Sequence, residues 1–318
     1  MEYEKLEILK KVFGAYTKAG SEYLFSCPKC DHHKRKLSIS LEKNVWKCWI
    51  CDYAGHKLHR LVRKWGTYED KKEWSEVDNE YEISNFKMIF KNKLLNGNEE
   101  EVYKKDILNL PDDYKTLVTK HVSFDSLEAR NFLTSRGVTR EDIFKWKIGY
   151  CKIGEYRKRI IVPSFDEGGN INFFIGRSYT DDWMKYKNPN VQKDIVFNSL
   201  FIDWTSDLVL VEGIFDAFKA NNAVPILGSS LREDSVLFQT IVSHDTPVFL
   251  ALDHDVEKKA MSLIKRLIQY DIELYKIDTS GYKDIAEMSN KIFEERKVNA
   301  IKFDNKTYLE YMILNKEF

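Results

Sequence analysis

The 318-residue sequence lacks net charge: Lys plus Arg and Asp plus Glu both total 50, so any preference for an anionic partner must lie in how the charges are distributed. It lacks any apolar run near the ~20 residues needed to cross a bilayer. Its start, MEYEKLEILKKVFGAY, alternates charged and apolar positions as an amphipathic helix does and a signal peptide does not. These features lead us to expect a cytoplasmic protein with no membrane partner. There is no internal repeat, no low-complexity tract and no G-x-x-x-x-G-K-[ST] run, so no phosphate-binding loop of that kind is present. Cysteines are few, and five do not make an even disulfide set. A hydrophobic content of 43% supports packed cores.

Four of those cysteines fall in two pairs, Cys27-Pro-Lys-Cys30 and Cys48-Trp-Ile-Cys51, separated by seventeen residues. That spacing suits a closed tetrahedral four-thiolate Zn2+ site, with two tight turns brought together by the hairpin between them. A redox thiol pair with chance neighbours is the bland alternative. His32 and His33 are expected outside the site, because four sulfurs complete it, and Cys151 reads as a small buried residue. Between Lys29 and Lys64 ten basic residues, Arg35 among them, face three acidic ones. With Phe25, Trp46 and Trp49 interleaved, the stretch suits single-stranded nucleic acid, whose bases stack on flat faces. It equally suits a small metal module that exposes lysines for solubility and uses aromatics as its core.

Composition divides the chain into a cysteine module over residues 1–65, a charge-rich linker over 66–110, and a more regular region after Pro111. In that region SLEARNFLTSRGVTREDIFKW predicts two helices around Gly137, and RIIVPSFDEGGNINFFIGR predicts a hairpin turning at Gly168-Gly169. From Asp207 strands and helices alternate, implying a mostly parallel sheet with helices on both faces. Carboxylates recur at the strand ends: Glu212 after DLVLV with Asp216 in the next helix, Asp253 and Asp255 after PVFLAL, and Asp284 after IELYKID. In an open parallel sheet such ends converge on one crevice, and clustered carboxylates find relief in a divalent cation, Mg2+ or Mn2+. Taken singly, Glu212 or Asp255 also suits the start of the next helix. His254 is expected to be a spacer.

With these motifs in order, the chain resembles the DNA primases of bacteria and phages, built around the toprim fold shared with topoisomerases. The likeness runs through the four cysteines, ARNFLTSRGVTREDIFKWKIGY, RIIVPSFDEGGNINFFIGR, GRSYTDDWMKYKNP and the acidic positions. The resemblance implies a mixed α/β fold: a zinc ribbon over residues 1–65, a linker over 66–110, a polymerase subdomain over 111–205, a toprim sheet over 206–290 and a helical tail over 291–318. It makes Glu212, Asp253 and Asp255 the metal-binding carboxylates, with Asp284 and Asp216 in support. Arg159, Arg177, Lys185 and Lys187 become the basic nucleotide and template path, with Trp46 and Arg35 as template contacts. The implied activity is DNA-templated synthesis of short RNA primers from ribonucleoside triphosphates. The partners are single-stranded DNA, the RNA primer and a replicative helicase on a separate chain, since the chain carries no phosphate loop of its own. A toprim nuclease or topoisomerase-like enzyme, or a non-catalytic single-strand-binding zinc protein, are the rival readings. Two departures stand out: VEKKAMS replaces the usual Ala-Gly helix start after Asp255, and KDIAEMS supplies Asp284 alone, with Glu287 three residues on, at the point where many relatives place two or three acids.

Overall fold

Leu6, Leu9 and Phe13, at helical spacing, become the buried face of helix Glu2–Phe13. The structure, a computed structural model, describes residues 2–78, 108–119, 122–227, 231–253, 256–282 and 284–314. The chain forms two compact units, Met1–Glu100 and Glu101–Phe318.

In the first unit the helix is followed by an antiparallel meander of β1 (Thr17–Ala19), β2 (Glu22–Phe25), β3 (Leu37–Ser40), β4 (Val45–Cys48) and β5 (Ala54–His56). Helix Leu58–Trp65 follows and stops at Gly66, as its apolar periodicity predicts. A further helix, Tyr68–Val77, opens on a capping box in which Thr67 and Asp70 exchange hydrogen bonds. Its Trp74 is buried in the same core as Leu9, Phe25, Leu37 and Leu61, and Lys5 Nζ lies 2.8 Å from Asp78 Oδ1. The first ten or so residues of the stretch read as a linker are therefore part of this unit. Positions 79–107 of that stretch lie outside the described residues.

Among the described residues, two sheets carry the second unit. The first is antiparallel, in the order β10 (Tyr186–Lys187), β9 (Ile171–Ser178), β8 (Arg159–Phe165), β7 (Gly149–Cys151), β6 (Tyr114–Thr116). The predicted β8–β9 hairpin forms, with Gly169 at φ 79°, and helices Phe124–Ser135 and Arg140–Lys145 flank Gly137 at φ 73°. The second sheet runs β12 (Ala223–Pro225), β11 (Leu208–Val211), β13 (Val248–Ala251), β14 (Leu274–Lys276), β15 (Ile301–Phe303). The first four are parallel, as the alternation of strands and helices predicts, and β15 adds an antiparallel edge.

Leu208, Leu210, Val248 and Leu250 point to one face of this sheet, where helices Val236–Ser243 and Glu257–Gln269 cover them. Val209, Val211 and Ala251 point to the other, against Ile160, Phe173 and Phe197. Burial on both faces explains why these strands read as continuous apolar runs in place of alternation. It also leaves the strand ends as the place where polar side chains can gather.

Candidate metal centre and active site

The cysteine site is built from two turns. Cys27 follows β2, and the amide of Asp31 donates to Cys27 O at 2.9 Å. Cys48 ends β4, and its amide donates to Tyr53 O at 2.7 Å. Asp31 and Asp52, at φ 43° and 52°, close the turns in the left-handed region. Sγ of Cys27 lies 3.8 Å from that of Cys51, and Sγ of Cys30 lies 3.9 Å from that of Cys48. All four sulfurs fall within 4.8 Å of one another. A tetrahedral Zn2+ with bonds of about 2.3 Å requires edges of about 3.8 Å, so the four thiols fit this ion. Burial pushes the Cys27 thiol up to about 12, while Cys48, against the same effect of burial, is brought down to about 7 by the amides of Cys51 and Ile50. A bound cation favours the thiolate form of each. The His32 side chain accepts the Lys34 amide at 3.1 Å, and Cys151 is buried in the core of the second unit.

Beside this site Trp46 corrects an expectation. It is 7% exposed, its ring lying against Gly55 so closely that a Cβ there would collide with it, and it has no face open to a base. Trp49, by contrast, is 62% exposed, with Lys47 Nζ 4.8 Å from its ring centroid. Arg35 is exposed and donates to Thr17 Oγ1 at 3.0 Å.

In the second unit the carboxylates stand at the carboxyl ends of neighbouring parallel strands. Glu212 follows β11, which pairs with β13 in the register Val211 to Ala251, and Asp253 lies two residues beyond β13. Helix Ile214–Ala217 starts one residue beyond Glu212, after Gly213, and carries Asp216, whose Oδ2 accepts the Gly213 amide at 2.9 Å. Asp284 accepts the Glu287 amide at 3.1 Å and caps the single turn Ile285–Glu287. Asp216 is 6% exposed. Burial pushes its carboxyl up to about 7, and the charges of Asp253 and Asp284 add to this against the amides of Gly213 and Ala286. Asp216, Asp253 and Asp284 thus feel one another's charge, and Glu212 stands at the end of the strand beside that of Asp253. Asp255 and His254 lie outside the described residues.

Glu212 is half-buried. Its Oε1 lies 3.1 Å from Lys259 Nζ, and its Oε2 is buried with no hydrogen-bond partner among the described residues. Among the described residues only the four cysteines bring three or more ligand atoms together, but an orphaned buried carboxylate oxygen is costly unless a partner completes it, and a hard divalent cation is one that would.

The basic residues divide. Arg159 is buried: its guanidinium lies 2.9 Å from Asp182 Oδ2 and donates to Met184 O at 2.9 Å. These contacts tie Arg159 to the turn before β10. That turn presents Lys185, which is exposed, and Trp183, which is 90% exposed. Arg177 stacks 4.7 Å from the Tyr186 ring and 5.8 Å from that of Phe132, next to Phe215 in the helix that carries Asp216. Lys187 pairs with Glu155 at 3.1 Å. Sequence reasoning missed Lys259 and the exposure of Trp183. The signal for the first was a lysine in a helix's opening turn, and the second carried none.

The architecture is that of a protein with a four-thiolate metal module and a separate parallel-sheet unit bearing acidic strand ends. No protein-family model matches the chain. It is similar to the DNA primases of Staphylococcus epidermidis (20% identical over 98% of this chain), Thermotoga maritima (23% over 91%) and Mycoplasma genitalium (25% over 92%). The chain spans 58% of the length of each. Among solved structures it shares its fold with the zinc-binding and RNA polymerase domains of the Aquifex aeolicus primase (TM-score 0.54, 20% identity, 99% of this chain and 87% of that one). A primase catalytic domain bound to single-stranded DNA matches with TM-score 0.52 and 19% identity over 61% of this chain and 77% of that one. The relatives of this chain are thus bacterial DNA primases, and its zinc-module and mixed α/β architecture is theirs.

Proposed function

We propose that this chain synthesises short RNA primers on single-stranded DNA from ribonucleoside triphosphates, in the cytoplasm and beside a replicative helicase supplied by another chain. The observation that carries the reading is the placing of Glu212 and Asp253 at the ends of adjacent parallel strands, with one oxygen of Glu212 buried and unsatisfied among the described residues. The resemblance to primases in sequence supports the reaction class.

Primer extension is attack of a 3′-hydroxyl on the α-phosphorus of an incoming triphosphate, with pyrophosphate leaving. A bound Mg2+ or Mn2+ supplies charge for the phosphate oxygens and lowers the pKa of the attacking hydroxyl. Glu212 and Asp253 would hold that ion, Asp255 being assigned to it by resemblance alone, and Asp284 would add negative charge. Asp216, at its raised pKa, keeps the turn after β11 in place through the Gly213 amide. Arg177 and Lys185 offer cationic contacts to phosphates, while Arg159 orients the turn that carries Lys185. In the first unit Cys27, Cys30, Cys48 and Cys51 would hold Zn2+ and so tie the two turns together, and Trp49 and Arg35 offer a stacking face and a positive charge to the template.

The test supplies single-stranded DNA, the four ribonucleoside triphosphates, Mg2+ or Mn2+ and a helicase, and looks for short RNA. Wild type is expected to make it. Asp253→Asn is expected to lose synthesis while keeping single-strand binding, because phosphate contacts come mainly from Lys and Arg. No RNA from wild type would overturn the enzymatic reading, and RNA from the variant would remove Asp253 from the chemistry.

A further inference from the structure

Lys259 stands where elementary electrostatics disfavours it. It lies in the first turn of helix Glu257–Gln269, whose unsatisfied amides and aligned peptide dipoles make a positive end. Its side chain is only 19% exposed, so its ammonium has lost much of its water. The compensation is Glu212 Oε1 at 3.1 Å, 47 residues earlier in the chain and on the neighbouring strand's end. The pair leaves the other oxygen of Glu212 buried and unsatisfied among the described residues, so Lys259 neutralises the carboxylate without completing it.

We propose that Lys259 is a resident counter-cation for Glu212 that competes with the divalent ion, and so sets how much Mg2+ or Mn2+ the site requires. The inference rests on the reading of Glu212 as a metal ligand. A divalent ion drawn to Glu212 meets an ammonium already within contact distance, and both cannot sit against one carboxylate without mutual repulsion. Lys259 therefore yields or weakens its contact as the ion enters, and the cost is subtracted from the ion's affinity. Before the ion arrives, the ammonium offsets the charge of Glu212, which stands at the strand end beside that of Asp253. The chain thereby tolerates an acidic site between binding events. Lys259 is a positioning residue on this account: it acts through Glu212.

Direct binding of Mn2+ to the full, zinc-loaded chain tests this without recourse to activity, by electron paramagnetic resonance of the free ion. Lys259→Met and Lys259→Gln are expected to bind Mn2+ about tenfold tighter than wild type, the effect of removing one partly buried competing pair. Both are expected to unfold at lower temperature when no Mn2+ is added, and Lys259→Arg to bind as wild type does. Gln keeps a hydrogen bond to Glu212 and serves if Met does not fold. Unchanged or weaker Mn2+ binding in the neutral variants overturns the competition. Glu212→Gln separates the two inferences. If it leaves Mn2+ affinity untouched, Glu212 is not a ligand and both fall. If it weakens binding while the Lys259 variants equal wild type, only the counter-cation role is lost.

Discussion

Asp216 shows how one buried carboxyl records the charge around it. Its pKa of about 7 lies above the value near 4 of a carboxyl in an unfolded chain. Between those values the folded protein holds a proton that the unfolded chain has released. The contribution of this group to stability is thus fully present below about pH 4 and is lost as pH rises through about 7. Asp216→Asn keeps an acceptor for the Gly213 amide and removes the titration. Its melting temperature, measured without added divalent metal, should fall less between pH 5 and pH 8 than that of wild type. Parallel profiles would mean that Asp216 is ionised throughout.

The hairpin of β4 and β5 shows what was legible in the sequence at the scale of an element, and what was not. Strand alternation places Trp46 on the same face as Cys48, and the burial of VWKC follows that alternation, with Trp46 and Cys48 buried and Lys47 exposed. Since Cys48 must turn inward to a shared metal, Trp46 must too, and this parity argument was available from the sequence. Trp49, one residue beyond the strand, escapes the alternation and is exposed. Trp46→Ala should cost the first unit about 3 kcal/mol or more, the usual loss for a large buried aromatic. Trp49→Ala should leave its melting temperature unchanged and weaken single-strand binding by about 1–3 kcal/mol, as removal of a stacking face does. Equal binding by Trp49→Ala and wild type in fluorescence anisotropy would exclude that role. The helix Glu257–Gln269 and the ends of β11 and β13 were likewise readable from periodicity and apolar runs. The meeting of Lys259 with Glu212 was not. It depends on β11 lying beside β13 in one particular register, a long-range choice that no local pattern records.

For the molecule as a whole, the core of the first unit is drawn from residues between Leu6 and Trp74, threaded by the buried Cys27 and Cys48. Small modules of this kind take much of their folding energy from the metal. Cys48→Ser should therefore lose amide protection across β2 to β5 in hydrogen exchange while β11 and β13 keep theirs. Protection lost in both places would show that the two units unfold as one. The parallel sheet has a further bearing on how the chain survives at high concentration. With equal numbers of positive and negative residues, 50 of each, the protein has little overall repulsion to keep its copies apart. Protection must then come from the rims of the sheet. At one rim β12 is three residues long and ends in Pro225, which has no amide to offer another strand; at the other, β15 is equally short and carries Lys302 paired to Glu273 at 2.9 Å. Margins of this kind give a second copy little backbone on which to add a strand.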